Sequence, residues 1–119
     1  MPDKRKRNVL VLEDEPFIAM MLEEEVEAIG LHVIGPVNNL KSALQLAEMT
    51  DLDGALLDLN INGAYATDVA DKLRLHGTPY IFVTGYEPPA GLQHRSVPVL
   101  RKPFTGIELR LALLALWDQ

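Results

Sequence analysis

Polar side chains with complementary chemistry follow several of the apolar stretches in this sequence. The side chains in question are Glu13, Asp14, Asp58, Thr84 and Lys102. Three carboxylates in one pocket would raise one another's pKa unless a cation compensates their charge, and one lysine cannot neutralise three carboxylates. A hard site of oxygen ligands suits Mg²⁺ better than zinc, and no histidine follows these stretches. We therefore expect a Mg²⁺ site.

The same set of side chains fits an incoming phosphoryl group. Mg²⁺ would bridge one phosphoryl oxygen, Lys102 would bind a second, and the Thr84 hydroxyl with nearby backbone N–H groups would bind the third. Asp58 would then be the attacking carboxylate and would form an acyl phosphate. The competing interpretation is that each residue is an ordinary polar group at the end of a strand.

The elements that must bring these residues together can be predicted from the apolar pattern. Short apolar runs bounded by turn residues predict five strands, and three- and four-residue apolar spacing predicts helices between them. The strands are 9–12, 32–37, the run that ends at Asp58, 79–83 and 97–100, with Pro36 and Pro98 marking edge strands. The helices are 16–29, one capped by Asn38 or Asn39 that runs to 47, 65–75, a short one starting no earlier than about 89, and 105–117.

Alternation of five strands with five helices predicts an α/β fold, a (βα)₅ doubly wound parallel five-stranded sheet with right-handed crossovers. All strands of such a sheet end on the same edge, which is where sites in open parallel sheets lie. The polar residues that follow the strands can therefore converge on one site.

Length and composition narrow the class of protein. The chain has 119 residues, 48% of them hydrophobic, no cysteine and a net charge of −6. We expect a single domain over 1–119, in which residues 1–7 form a basic leader and no room is left for an output domain. The negative charge argues against a nucleic-acid or anionic membrane surface. No apolar stretch is long enough for a signal peptide or a membrane span, so we expect a cytoplasmic protein.

In combination, these residues closely resemble the response-regulator receiver domain of two-component signalling. The resemblance runs from Val9 to the end of the last helix and is carried by Glu13-Asp14, Asp58 with Asn60 two residues later, Thr84 and Lys102-Pro103-Phe104. It implies a flavodoxin-like fold with strand order 2-1-3-4-5. It also implies a signalling domain rather than an enzyme, with intrinsic self-phosphorylation and autodephosphorylation chemistry.

The resemblance assigns roles to the site residues. It implies that Asp58 accepts phosphate from a histidine kinase or a phosphotransfer protein, with Lys102 and Thr84 assisting. It implies Mg²⁺ bound by Asp14, Asp58 and the Asn60 backbone carbonyl, with Glu13 acting through water. It also implies a cis bond between Lys102 and Pro103.

A shorter motif points to a subgroup of the family. The run Phe82-Val83-Thr84-Gly85-Tyr86 resembles the Phe-Ala-Thr-Gly-Tyr sequence of mostly stand-alone receivers, whose partners tend to be alphaproteobacterial stress-response histidine kinases. One position departs from the family, because Val99 stands where an aromatic switch residue is usual. Tyr86 is the nearest alternative switch residue, and the segment 87–96 is a candidate for reordering on phosphorylation.

Two other functions compete with this interpretation. A phosphatase of the haloacid-dehalogenase kind would need a second aspartate two residues after the nucleophile as general acid, where this chain has Asn60. A pseudo-receiver would be a binding scaffold that works without phosphate, which the Val99 substitution leaves open. The last helix is apolar on more than one face. This pattern fits either helix packing with fraying at the chain end, or a surface for a homodimer or a downstream protein together with strands 4–5 of the predicted sheet.

Overall fold

The computed structural model of the protein describes residues 6–49, 51–85 and 97–118. Its elements in chain order are β1 (Asn8–Leu12), α1 (Pro16–Ala28), β2 (His32–Val37), α2 (Leu40–Ala47), β3 (Gly54–Asp58), β4 (Asn60–Ile61), β5 (Ala64–Tyr65), α3 (Thr67–Leu75), β6 (Tyr80–Thr84), β7 (Val99–Arg101) and α4 (Gly106–Ala115). The predicted fifth helix, starting near residue 89, lies outside the described residues.

The main sheet has five parallel strands in the order β2-β1-β3-β6-β7. This is the predicted order 2-1-3-4-5, because β4 and β5 form a separate small hairpin. The α/β fold class is confirmed. Pro36 lies within β2 and Pro98 directly precedes β7; these are the two edge strands, as predicted, since a proline has no N–H to donate to a neighbouring strand.

Helices cover both faces of the sheet, and alternate residues of the central strands face opposite cores. Leu10, Leu57 and Phe82 pack with α2 and α3, whereas Val11, Leu56 and Ile81 pack with α1 and α4. The strands β3 and β6 are buried along their whole length. Burial on both faces explains why these strands are continuous apolar runs in the sequence.

Several predicted boundaries were wrong by two residues. β7 begins at Val99 rather than 97, and the carbonyl of Pro98 accepts a hydrogen bond from the Phe82 N–H. α3 begins at Thr67 rather than 65, because Tyr65 pairs with Asn60 in the hairpin. α4 ends at Ala115 rather than 117.

Side-chain caps fix the starts of three helices. The Asn39 side chain accepts a hydrogen bond from the Ser42 N–H, which identifies Asn39 as the cap of α2. Glu15 caps α1 in the same way. Thr105 and Glu108 form a reciprocal capping box at the start of α4. Among the described helices, none is long and apolar enough to cross a membrane.

Candidate functional site

The predicted site residues lie together at the carboxyl edge of the main sheet. All of them except Glu13 line a cavity of about 380 Å³ between the ends of β1, β3, β6 and β7. The residues that line the cavity are Asp14, Glu15, Asp58, Asn60, Thr84, Gly85 and Lys102. The convergence expected from parallel strands is therefore present in the structure.

Asp58 is the last residue of β3 and is almost completely buried, with 5% of its surface exposed. Its Oδ2 lies 3.5 Å from the Lys102 ammonium nitrogen. Its Oδ1 accepts a hydrogen bond of 3.3 Å from the Asn60 N–H. The Lys102 ammonium group beside one oxygen and the Asn60 N–H bonded to the other fix the Asp58 carboxylate at the carboxyl end of β3.

Glu13 is the more deeply buried member of the acidic pair, with 1% of its surface exposed. Its Oε2 accepts hydrogen bonds from the Lys102 ammonium group at 3.1 Å and from the Glu15 N–H at 3.1 Å. Its Oε1 is buried and has no hydrogen-bond partner among the described residues. Buried carboxylate oxygens are seldom left in this state, so a ligand is expected to complete the site.

Asp14 is half-buried and completes a cluster of three carboxylates. One oxygen of each of Glu13, Asp14 and Asp58 lies within 4.8 Å of the others. Asp14 Oδ2 accepts a hydrogen bond of 3.0 Å from the Asn62 N–H. A donor set made only of oxygen atoms, with more negative charge than Lys102 can offset, fits a hard divalent cation such as Mg²⁺.

The environment of Asp58 raises its pKa from 3.8 to about 7. Burial is the largest cause, because desolvation disfavours the charged carboxylate. The neighbouring Glu13 carboxylate raises the pKa further, while the Lys102 ammonium group and the Asn60 N–H lower it. A strongly perturbed pKa in a cleft, with specific charged neighbours, is typical of functional carboxylates.

Thr84 and Lys102 are placed by adjacent strands. Thr84 ends β6 and is 2% exposed, and its carbonyl accepts a hydrogen bond of 2.8 Å from the Lys102 N–H. Lys102 directly follows β7. The peptide bond between Lys102 and Pro103 is cis, as the family resemblance implied. Tyr86 and the segment 87–96, to which we assigned a switching role, lie outside the described residues.

Sequence reasoning missed the β4–β5 hairpin, which contributes the Asn62 N–H to the site. We interpreted Gly63 only as a break before the next helix. The dipeptide Asn62-Gly63 between Ile61 and Ala64 is a strong hairpin signal and could have revealed the turn.

Comparison with known proteins identifies the family. The family model of the response regulator receiver domain matches residues 9–114. The protein SdrG from Sphingomonas melonis Fr1, solved in solution, is 37% identical, has a TM-score of 0.81 and is matched over 93% of this chain and 96% of its own. A CheY-like receiver domain protein from Methanospirillum hungatei JF-1 has a TM-score of 0.83 at 19% identity, over 95% of this chain and 94% of its own, and supports the fold alone.

A curated relative agrees with these structural matches. The phyllosphere-induced regulator PhyR of Methylorubrum extorquens is 36% identical over 101 residues, which is 81% of this chain. The chain spans only 38% of the length of PhyR. The family model covers most of the chain, and the fold and the carboxylate cluster agree with it. The chain belongs to the response regulator receiver domain family of two-component signalling.

Proposed function

We propose that this receiver domain accepts a phosphoryl group on Asp58 and thereby changes its affinity for a partner protein. One observation carries the proposal above the others. The buried Asp58 carboxylate is at the end of a central strand, and its Oδ2 lies 3.5 Å from the Lys102 ammonium nitrogen. One of its oxygens lies within 4.8 Å of a carboxylate oxygen of Glu13 and of Asp14. This is the arrangement that a nucleophilic carboxylate needs beside a cation site.

Mg²⁺ is the cofactor that the site would take. Asp14, Asp58 and the backbone carbonyl of Asn60 would hold it, with Glu13 acting through water. When bound, the ion supplies positive charge that offsets the carboxylates and the phosphoryl oxygens. The unpartnered Glu13 Oε1 and the raised pKa of Asp58 both support this assignment, because each is what an excess of buried negative charge produces.

The residues of the chain account for the transfer step. An ionised Asp58 oxygen forms a bond to phosphorus as the P–N bond of a phosphohistidine breaks, and the electron pair of that bond stays on the imidazole nitrogen. Lys102 stabilises the charge on the transferred group, and the hydroxyl of Thr84 donates to one of its oxygens.

Receiver domains of this kind interact with histidine kinases or phosphotransfer proteins, and we propose such a donor here. A further solution structure of SdrG, from Pseudomonas melonis Fr1, is of its BeF₃-activated conformation; it is 37% identical, with a TM-score of 0.74. We propose that this chain likewise has an activated conformation.

The surface that would respond is formed by β6, β7 and α4. Three large apolar side chains on α4 are more than half exposed: Ile107, Leu111 and Leu114. They recur at four- and three-residue steps, which places them along one side of the helix. We propose this row as the contact with a second copy or a downstream protein, since exposed apolar patches mark interfaces.

A pseudo-receiver is the second candidate, which Val99 leaves open although the intact Asp58, Thr84 and Lys102 argue against it. Val99 begins β7 and is half-buried. A branched aliphatic side chain cannot swing between exposed and buried ring positions as the family's usual aromatic residue does. In a pseudo-receiver, partner binding would not depend on Asp58.

Intact mass after incubation with Mg²⁺ and acetyl phosphate tests the two functions. We expect a gain of one phosphoryl group in the wild type and none in Asp58→Ala. Glu24→Gln, which removes an exposed carboxylate from α1, is the matched control and should gain the same mass as the wild type. No gain in the wild type, or an equal gain in Asp58→Ala, would reject Asp58 as the acceptor and favour the pseudo-receiver.

A further inference from the structure

The β4–β5 hairpin is a compact element beside the carboxylate cluster. Asn60 pairs with Tyr65 and Ile61 with Ala64, which leaves Asn62-Gly63 as a two-residue turn. Both turn residues have positive φ angles, +52° for Asn62 and +89° for Gly63. Type I′ hairpin turns require this combination, and Asn-Gly is the dipeptide that adopts it most readily.

The base of the hairpin is fixed to the body of the protein. Ile61 is 2% exposed and belongs to the core beneath α2 and α3. The Ala66 N–H donates a hydrogen bond of 2.8 Å to the carbonyl of Leu59 and closes the loop behind the hairpin. The tip is therefore held in place by buried contacts, although Asn62 and Gly63 themselves are exposed.

Two backbone N–H groups of this hairpin donate to two different carboxylates of the cluster. The Asn60 N–H donates to Asp58 Oδ1 at 3.3 Å, and the Asn62 N–H donates to Asp14 Oδ2 at 3.0 Å. The Asn60 side-chain oxygen accepts a hydrogen bond of 3.0 Å from the Gly63 N–H, which ties the tip to its own first strand. The hairpin thus links Asp14, which follows β1, to Asp58, which ends β3.

We infer that Asn62 is a positioning residue, whose backbone N–H holds the Asp14 carboxylate in the orientation that a divalent cation requires. The inference rests on the Mg²⁺ site of the proposed function. Without the Asn62 donor, Asp14 is a half-exposed side chain that can rotate away from Glu13 and Asp58. A fixed carboxylate loses less rotational freedom when the cation binds, so the hairpin raises the affinity for the ion.

The left-handed conformation of Asn62 is what directs its N–H toward Asp14. Asparagine and glycine adopt positive φ at low cost, whereas a β-branched residue does not. A valine at position 62 should therefore change the turn, while a glycine should preserve it. At Gly63 a Cβ atom would meet nothing within 4 Å, so a valine there would disturb the turn through its φ alone and not through a clash.

Titration calorimetry with MgCl₂ at pH 7 tests the inference on the wild type, Asn62→Val, Asn62→Gly and Gly63→Val. We expect Asn62→Val and Gly63→Val to bind Mg²⁺ about tenfold more weakly, the lower end of the loss that follows removal of a residue supporting a metal ligand. Asn62→Gly should retain the affinity of the wild type, because it keeps both the conformation and the N–H group. Thermal unfolding in EDTA checks that each variant is folded at the titration temperature, and the midpoints of the two valine variants should be lowered by the strain of a β-branched residue at positive φ.

The possible results separate the inference from the proposed function. If the wild type binds Mg²⁺ and both valine variants bind it equally well, the positioning role is wrong while the metal site stands. Equal weakening in Asn62→Gly would assign the effect to the Asn62 side chain and would also overturn the inference. If the wild type itself binds no Mg²⁺, both the metal site and the positioning role fall. Should Asn62→Val not fold, Gly63→Val decides alone.

Discussion

Some neighbours of Asp58 raise the pKa of its carboxyl group and others lower it. Burial and the Glu13 carboxylate favour the protonated form, while the ammonium group of Lys102 and the Asn60 N–H favour the ionised form. The first two prevail, since the pKa is raised to about 7. In the proposed function Asp58 reacts as an ionised carboxylate, so the raised pKa disfavours the reactive form while no metal ion is bound.

The raised pKa predicts how the stability of the metal-free protein depends on pH. Because the folded-state pKa of Asp58 lies above the ordinary value of 3.8, the folded state binds the proton more tightly than the unfolded state. The stability that this group contributes is fully present below about pH 4 and is lost as the pH rises through about 7. Asp58→Asn has no such proton to lose, and its stability should not show this loss.

Thermal unfolding in EDTA at pH 5 and pH 8 measures the effect. We expect Asp58→Asn to unfold at least about 4 °C above the wild type at pH 8, since about 1 kcal/mol already produces that shift in a domain of this size. The gap should narrow at pH 5, where the wild-type carboxyl is protonated. Glu24→Gln, on the exposed side of α1, is the control and should show no pH-dependent gap. A gap that is equal at both pH values would contradict the raised pKa.

At the residue scale, the side chains that lie together could be predicted from the sequence, but their contacts could not. Residue types at strand ends were enough to select Asp58, Thr84 and Lys102, because parallel strands must end on one edge. The sequence does not distinguish the members of the acidic pair. Only the folded chain shows that Glu13 is buried against Lys102 while Asp14 is half-exposed and held by a turn.

At the scale of elements, the parallel sheet and most of the helices followed from alternation and apolar period. The order 2-1-3-4-5 itself came with the family resemblance. Elements of two or three residues were not predictable in this way, since a period cannot be recognised in so short a run. The β4–β5 hairpin is the clearest case, because its signal is turn chemistry at Asn62-Gly63 and not an apolar pattern. The start of β7 was missed because this strand has only three residues and Pro98, which precedes it, was counted as part of it.

The start of α4 is an element whose stability can be tested separately from the site. The Thr105 hydroxyl accepts a hydrogen bond of 3.1 Å from the Glu108 N–H, and the Glu108 carboxylate accepts one of 2.8 Å from the Thr105 N–H. Thr105→Ala removes half of this capping box and should cost about 1 kcal/mol, or about 4 °C in the midpoint of thermal unfolding. Circular dichroism measures the shift.

Thr105→Ser is the matched control for the cap. Its hydroxyl can still accept the bond from the Glu108 N–H, so its unfolding midpoint should stay within about 1 °C of the wild type. If Thr105→Ser falls as far as Thr105→Ala, the threonine methyl group and not the cap stabilises the helix.

At the scale of the whole molecule, the candidate cation site and the Trp117 contacts lie at opposite ends of the sheet. The carboxylates gather at the carboxyl ends of the strands, whereas Trp117 closes the amino ends of β1 and β3. Its indole N–H donates a hydrogen bond of 2.8 Å to the Asp53 carbonyl, and the Arg7 guanidinium lies 4.3 Å from the centre of its ring. The Asp53 side chain in turn accepts a hydrogen bond of 2.7 Å from the Asn8 N–H. Trp117 thereby joins the end of the last helix to the starts of two central strands.

Because the carboxylates and Trp117 lie at opposite ends of the strands, we expect that stability and cation binding can be changed independently. Trp117→Phe removes the hydrogen bond to Asp53 and weakens the stacking of Arg7, so it should cost about 1–2 kcal/mol of stability. Its affinity for Mg²⁺ should equal that of the wild type, because the substitution lies at the opposite end of the strands. Asp14→Asn should do the reverse, with Mg²⁺ bound at least tenfold more weakly and no loss of stability, since it removes one of three repelling carboxylates.

Circular dichroism melts in EDTA and calorimetric Mg²⁺ titrations of both variants measure the two effects side by side. Asn is a suitable replacement at position 14 because its amide oxygen can still accept the hydrogen bond from the Asn62 N–H. Weaker Mg²⁺ binding in Trp117→Phe would show that the two ends of the sheet are coupled. In that case the amino-terminal end would be part of the switch, because a change in the packing of the last helix would reach the carboxylates through β1 and β3.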